Sequence, residues 1–233
     1  VPQEFQTQYP SYANPPTLAM ALTSYINRLK AAGVSLASLD IVPHPPSDTT
    51  GSSSTLSALH ITSPQLASQY LTSIYSRLKR HYEWFRETQR GQIREWGREA
   101  RSRKEGYRWR GRTMDHVLTS GLDDYPRAKP PHLGELHLDL ISWMAFFSKT
   151  MSEIAEFLGE EEERKEFEGN AEMMRGNIEG QLGVLILEVG SCADDRFWGT
   201  DLHWSEEQQM YCDASVDEDG LLSNVFSFCH PSH

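Results

Sequence analysis

Two clusters of side chains in this 233-residue sequence have the types and spacing to do chemistry. The first is Gly121-Leu122-Asp123-Asp124-Tyr125-Pro126-Arg127, where two neighbouring carboxylates share a short stretch with a phenol and a guanidinium. Gly121 and Pro126 dictate an irregular backbone, so the stretch belongs to a loop rather than to a helix or strand. Adjacent side chains point in different directions, which lets one carboxylate face a cleft while the other holds the loop. A carboxyl group with a raised pKa can protonate a departing glycosidic oxygen, and an arginine with a second acid can hold sugar hydroxyls. The composition of the stretch alone favours an Asp-rich surface turn.

The second cluster is Glu135 and Asp139, four residues apart inside an apolar-periodic segment. The spacing predicts both on one helical face, one turn apart, with Trp143 extending that face. Like charges stacked without an intervening cation, beside an aromatic ring, suit a wall that binds sugars. A pair so placed is also compatible with a solvated helix face, or with half of a metal site, although His137 is expected on another side of the helix and no third ligand is evident. No metal or cofactor is assigned: the sequence has no phosphate-binding glycine loop, no G-x-S-x-G elbow and no H-E-x-x-H pair.

The elements that must position these clusters are mostly helical. Asn14-Pro15-Pro16-Thr17 forbids regular structure until Thr17, which is placed to cap a helix over about Leu18 to Lys30 that ends at Gly33. Asp40 to Ser57 reads as a loop rich in Pro, Ser, Thr and Gly. From Ser63-Pro64, apolar residues at Leu66, Tyr70, Ile74, Leu78, Tyr82 and Phe85 mark a long amphipathic helix, with Gly91 as a stop. Arg94 to Thr113 has no period and reads as a structured loop. A further helix is expected over about Leu133 to Leu158, with Leu136, Leu140, Trp143 or Met144, Phe147, Met151 and Ile154 inward, and another over about Glu160 to Ile178. The fold class is therefore mainly α. The apolar run Leu182 to Val189 is out of place in it.

Charge is unevenly distributed. The net formal charge is -11, yet Arg77 to Arg112 holds 13 of the 22 Lys and Arg against five Glu, about +8. Interleaved with Tyr82, Trp84, Phe85, Trp96, Tyr107 and Trp109, such a stretch could bind single-stranded nucleic acid. Glu83 and Glu87, Arg86 and Arg90, Glu95 and Glu99 recur at helical spacing, which favours a solvated helix face, and the acidic remainder would repel a phosphate backbone, so no nucleic acid partner is expected. Cys192, Cys212 and Cys229 match neither a zinc spacing nor paired disulfides. No apolar run of about 18 residues is present and Val1-Pro2-Gln3-Glu4 lacks the order of a signal peptide, so no membrane contact by this segment is expected.

The first cluster and several other blocks resemble glycoside hydrolase family 63. The blocks are Ala13-Asn14-Pro15-Pro16-Thr17, Leu78 to Phe85, Tyr107-Arg108-Trp109-Arg110-Gly111-Arg112, Leu118 to Ala128, Asp201-Leu202-His203-Trp204 and Met210-Tyr211-Cys212-Asp213, in that order. The resemblance implies an (α/α)6 toroid in the lumen of the endoplasmic reticulum. It also implies removal, with inversion, of the terminal α-1,2-linked glucose of the glucosylated N-glycan precursor. It implies Asp123 as general acid and places Gly121, Asp124, Arg127, Glu135 and Asp139 at or near the substrate cleft.

Inversion needs a second carboxylate to activate water. The resemblance places it beyond Met210-Tyr211-Cys212-Asp213, and no residue here matches it, so residues 1–233 read as an incomplete, partial toroid that is inactive alone. A fragment that binds carbohydrate or a partner without catalysis is the alternative. Residues 179–200 read as an unusual insert, from retained intron sequence or a surface insertion. Helix faces carrying Leu140, Phe147 and Met151 are expected to be partly uncovered, favouring non-specific self-association.

Overall fold

Helices α1 (Leu18–Ala31), α2 (Pro64–Thr88), α3 (Leu138–Leu158) and α4 (Glu161–Glu179) dominate the structure, which is mainly α as expected. Two antiparallel ribbons follow them: β1 (Trp204–Ser205) with β2 (Met210–Tyr211), and β3 (Asp213–Val216) with β4 (Leu222–Val225). The computed structural model describes residues 9–34, 59–98, 100–179, 202–205, 208–216 and 222–225. The Asp40 to Ser57 loop, the Leu182 to Val189 run, nearly all of the 179–200 segment, Cys192 and Cys229 lie outside the described residues. Among the described residues no helix is long and apolar enough to cross a membrane.

The chain divides into two compact units, one of residues 16–82 with 146–169 and one of residues 1–15, 83–145 and 170–233. In the first, α1 buries Ala19, Leu22, Ile26 and Leu29 at spacings of three and four. It closes with Val34 donating to the Leu29 carbonyl and Gly33 at φ +67°, the left-handed stop that its glycine predicts. Thr17 is not the cap its position suggested: its backbone is already helical and its side chain makes no capping hydrogen bond. Ser63 does act as expected, its Oγ accepting from the Leu66 amide at 3.4 Å.

The inward stripe of α2 in this unit runs through Ala67, Leu71, Tyr75, Leu78 and Tyr82. It lies one residue past the expected Leu66, Tyr70 and Ile74, about 100° around the helix, and Tyr70 is largely exposed with its ring edge-on to Tyr25. Tyr82 packs edge-on against Phe147 and Phe167, and its hydroxyl bonds Ser148 Oγ at 3.0 Å, which in turn donates to the Phe167 carbonyl. These contacts cover Phe147. Phe147 and Met151 are 2% and 0% exposed, which corrects the expectation that they would be uncovered.

In the other unit, extended segments are stitched edge to edge. Arg90 bridges to Tyr107, and Leu136 exchanges both backbone hydrogen bonds with Ala214 at 2.8 and 3.0 Å. Ile93, Leu136, Leu202 and Ala214 form a buried cluster there, with Tyr107 and Trp109 wholly enclosed. Leu140 is buried as well, again contrary to expectation. The predicted start of α3 at Leu133 is five residues early. Leu136 spends its N–H and C=O on Ala214 and so cannot join a helical ladder, leaving Leu138 as the first helical residue.

The basic stretch is not a solvated helix face throughout. α2 ends at Thr88, so beneath Glu95 there is only the single 3₁₀ turn Arg94–Trp96 and not a continuing α-helical face. Arg86 reaches the buried Glu105 at 2.6 Å. Arg98, itself buried, donates to the carbonyls of Gly134 at 2.5 Å and Ser215 at 3.0 Å, and burial lowers its pKa to about 10.

Candidate active site

The Gly121 to Arg127 loop has a backbone fixed by its own hydrogen bonds. Leu118–Ser120 forms a single 3₁₀ turn, after which Gly121 takes φ +75°, a conformation that costs any residue with a Cβ. The buried Ser120 hydroxyl donates to the Val117 carbonyl and accepts from the Leu122 amide, while Tyr125 N–H closes a turn onto the Leu122 carbonyl. Pro15 lies directly under Gly121, its Cγ at 3.4 Å from where a Cβ would stand. On this fixed backbone Asp123 and Asp124 are both exposed. Asp124 sits 3.6 Å from His116, and none of the described hydrogen bonds or ion pairs uses the Asp123 carboxylate.

Arg127 turns the other way and is buried. Its Nη1 reaches Asp213 Oδ2 at 2.6 Å and its Nη2 reaches Asp139 Oδ2 at 2.8 Å. Asp139 is further held by the indole N–H of Trp109 at 3.0 Å and by the Leu140 amide at 2.9 Å. Asp213 uses its other oxygen to accept the Leu138 amide at 2.8 Å, which caps the first turn of α3. Burial alone pushes the Asp213 carboxyl up, but the positive charge of Arg127 and the Leu138 amide help outweigh it and hold the group below the usual carboxylate range. Those same carboxylates raise Arg127 above its ordinary value, overcoming the opposing effect of burial.

Glu135 and Asp139 are not stacked on one helical face. Glu135 precedes α3 in the extended stretch paired with β3, and its side chain is 2% exposed. Nor is it without cations: its Oε2 lies 3.5 Å from Arg112 Nε and 3.8 Å from Arg108 Nε. His137 is on the same side, not another, with Nε2 3.4 Å from that oxygen. Because His137 Nδ1 accepts the Trp109 amide at 3.0 Å, the neutral ring carries its proton on Nε2 and directs it at Glu135. Glu135 and Asp139 thus answer to different partners, and among the described residues no group of three His, Cys, Asp or Glu could hold a metal.

The structure therefore joins Arg127 to Asp139, sets Glu135 in a separate buried cluster, and leaves Gly121, Asp123 and Asp124 on the surface of the loop. Reading by residue type missed the positions that organise these groups: Trp109, Arg108 and Arg112, and Asp213. Each falls within a block singled out in the sequence, which was the available signal, but nothing local assigns it a partner. Gln89 was missed as well. Its amide donates to the Ser11 carbonyl at 2.6 Å and accepts from the Arg110 amide at 3.0 Å, tying the irregular opening stretch to the site.

Comparison with known proteins gives a consistent picture. Residues 1–182 match the model of the glycosyl hydrolase family 63 C-terminal domain. Over 243 aligned residues that cover the whole chain, the sequence is 43% identical to a probable mannosyl-oligosaccharide glucosidase of Schizosaccharomyces pombe and 32% identical to the mannosyl-oligosaccharide glucosidase of Saccharomyces cerevisiae. It is 29% identical to alpha-glucosidase 2 of Arabidopsis thaliana over 168 residues, 68% of this chain and 17% of that protein. The chain spans 26% of the length of each of the two yeast relatives.

Proposed function

This chain belongs to glycosyl hydrolase family 63, and from that premise we propose that it forms part of an inverting glucosidase whose general acid is Asp123. The substrate is the glucosylated N-glycan precursor, from which the terminal α-1,2-linked glucose is removed, in the lumen of the endoplasmic reticulum. The chain contributes helices to an (α/α)6 toroid, in which residues 179–200 are an insert. The observation that carries the reading is the contrast between the exposed, unengaged Asp123 carboxylate and the hydrogen-bonded backbone beneath it. A general acid must present a free carboxyl group from a position that does not wander.

The remaining site residues divide by accessibility. Asp124 is exposed and can meet sugar hydroxyls, whereas Arg127, Glu135 and Asp139, whose two oxygens are taken up by Arg127, Trp109 and the Leu140 amide, act from behind, by fixing the loop and the polypeptide around the start of α3. Protonation of the leaving oxygen by Asp123 accompanies attack of water on the anomeric carbon from the opposite face, and that water requires a second carboxylate. None of this chain's carboxylates is assigned that task.

The test is Asp123→Asn in the full-length gene product, with release of glucose from an α-1,2-linked gluco-oligosaccharide and binding of the same oligosaccharide measured side by side. Loss of release with binding retained is expected. Hydrolysis surviving in the variant would refute the assignment.

A further inference from the structure

We infer that Asp213 is a positioning residue for the acid loop: acting through Arg127, it fixes the Gly121 to Arg127 stretch against the first turn of α3. The inference rests on reading Asp123 as the general acid. Asp213 lies 86 residues beyond Arg127, yet the two meet at 2.6 Å, deep enough that their side chains are 9% and 3% exposed. The other Asp213 oxygen holds the Leu138 amide at 2.8 Å, so one carboxylate spans two segments, the end of the acid loop and the start of the helix that carries Asp139.

The carboxylate is itself held in place from its own backbone. Ala214, next in β3, is paired with Leu136 by two hydrogen bonds, and Arg98 straps the Gly134 and Ser215 carbonyls together. Asp213 therefore faces residues 137 and 138 through backbone pairing rather than through its own side chain. From Arg127 back to Asp123 is four residues, and that path is short of freedom. It contains Pro126, the turn closed by Tyr125 onto Leu122, and the Tyr125 ring lying 5.2 Å from the Arg127 guanidinium. Holding the Arg127 head group thus limits where the Asp123 carboxylate can go.

A purely structural role would need only one acid for this one base. Arg127 already has Asp139 on Nη2 at 2.8 Å and, more weakly, on Nη1 at 3.5 Å, with Trp109 and the Leu140 amide satisfying the rest of that carboxylate. Burying a second carboxylate against the same cation adds desolvation cost for a charge already paired. What the second acid adds is grip and direction: Nη1, only loosely met by Asp139 at 3.5 Å, is seized by Asp213 at 2.6 Å, so the planar guanidinium is held firmly at both Nη groups and the loop cannot swing with it.

The decisive variant is Asp213→Asn in the full-length gene product, because an asparagine oxygen still accepts the Leu138 amide while the charge that holds Arg127 is lost. Hydrogen–deuterium exchange of the 121–127 backbone is expected to speed up about tenfold while helix α3 stays protected, and kcat to fall by about tenfold to 10²-fold with KM within about twofold. Unchanged exchange and kcat would overturn the inference, as would a rise in KM alone, or a fall in melting temperature and activity without selective loosening of residues 121–127. If Asp213→Asn does not fold, Arg127→Lys, which keeps the charge but not the two-pronged grip, must loosen the same segment, and failure to do so overturns it equally. Should Asp123→Asn remain active, the general-acid reading fails, while the exchange measurement still decides the positioning role by itself.

Discussion

The indole of Trp109, with no surface exposed to solvent, donates its one N–H to Asp139 Oδ2 at 3.0 Å, so an aromatic core residue orients a carboxylate of the candidate site. Trp109→Phe keeps much of the ring volume and removes the donor. Stability is expected to fall by about 1–3 kcal/mol, the scale for a hydrogen bond to a charged acceptor whose loss leaves a desolvated oxygen short of a partner. Urea unfolding of the two proteins checks it, and an unchanged midpoint would show that the bond adds nothing.

Glu135 supplies the negative charge nearest to two largely buried guanidiniums, Arg108 and Arg112. Glu135→Gln preserves shape but leaves those cations facing one another. A loss of about 3 kcal/mol in unfolding free energy is expected, as when one partner of a buried ionic group is neutralised. Adding Arg108→Met to the variant should restore part of that loss; a double variant less stable than the single one would contradict the account.

Two glycines make a matched pair. Gly121 sits at φ +75° over Pro15, whereas Gly169 lies within α4 with open space where a Cβ would go. Gly121→Ala is expected to lower stability by about 1–2 kcal/mol through left-handed strain, and Gly169→Ala to raise it by up to about 1 kcal/mol through helix propensity. Thermal unfolding of both variants should move the melting temperature in opposite directions.

The depressed pKa of Asp213 carries a pH dependence whose sign is fixed. A group that holds its proton less tightly when folded stabilises the folded state wherever it is ionised in both states. That contribution is present above the unfolded carboxylate value, about 4, and disappears as pH falls through the lower folded value. The stability difference between the natural chain and Asp213→Asn, followed by urea unfolding from pH 7 to pH 2.5, should therefore shrink below about pH 4. A difference that stayed constant over that range would refute it.

How much of this could be read beforehand depends on the distance over which each feature is decided. The bodies of α1, α2, α3 and α4 follow from apolar spacing within a few turns, and Leu140, Met144, Phe147, Met151 and Ile154 are inward as that spacing required. The start of α3 was not legible, because Leu136 is claimed by Ala214, 78 residues away, against a local pattern that favours continuing the helix upstream. The same holds for the site. Asp123 is conspicuous in a seven-residue motif, whereas Asp213 becomes meaningful only once β3 has brought it to Leu138 and Arg127. Calling Glu135 and Asp139 a stacked pair failed for one reason: four residues make a turn only inside a helix, and Glu135 is outside it.

The opening stretch has a practical consequence for anyone preparing this protein. Irregular, proline-rich segments are readily cut away when a domain is trimmed for expression or crystallisation, and a boundary just before Pro16 would look harmless. It would take away the Tyr12 ring that packs on Gly111, the Ser11 carbonyl that holds the Gln89 amide, and the Pro15 ring beneath Gly121. A preparation that starts at Pro16 could keep its helical circular dichroism and still present a collapsed acid loop, so residues 11–15 belong with the acid loop in any shortened form that is assayed.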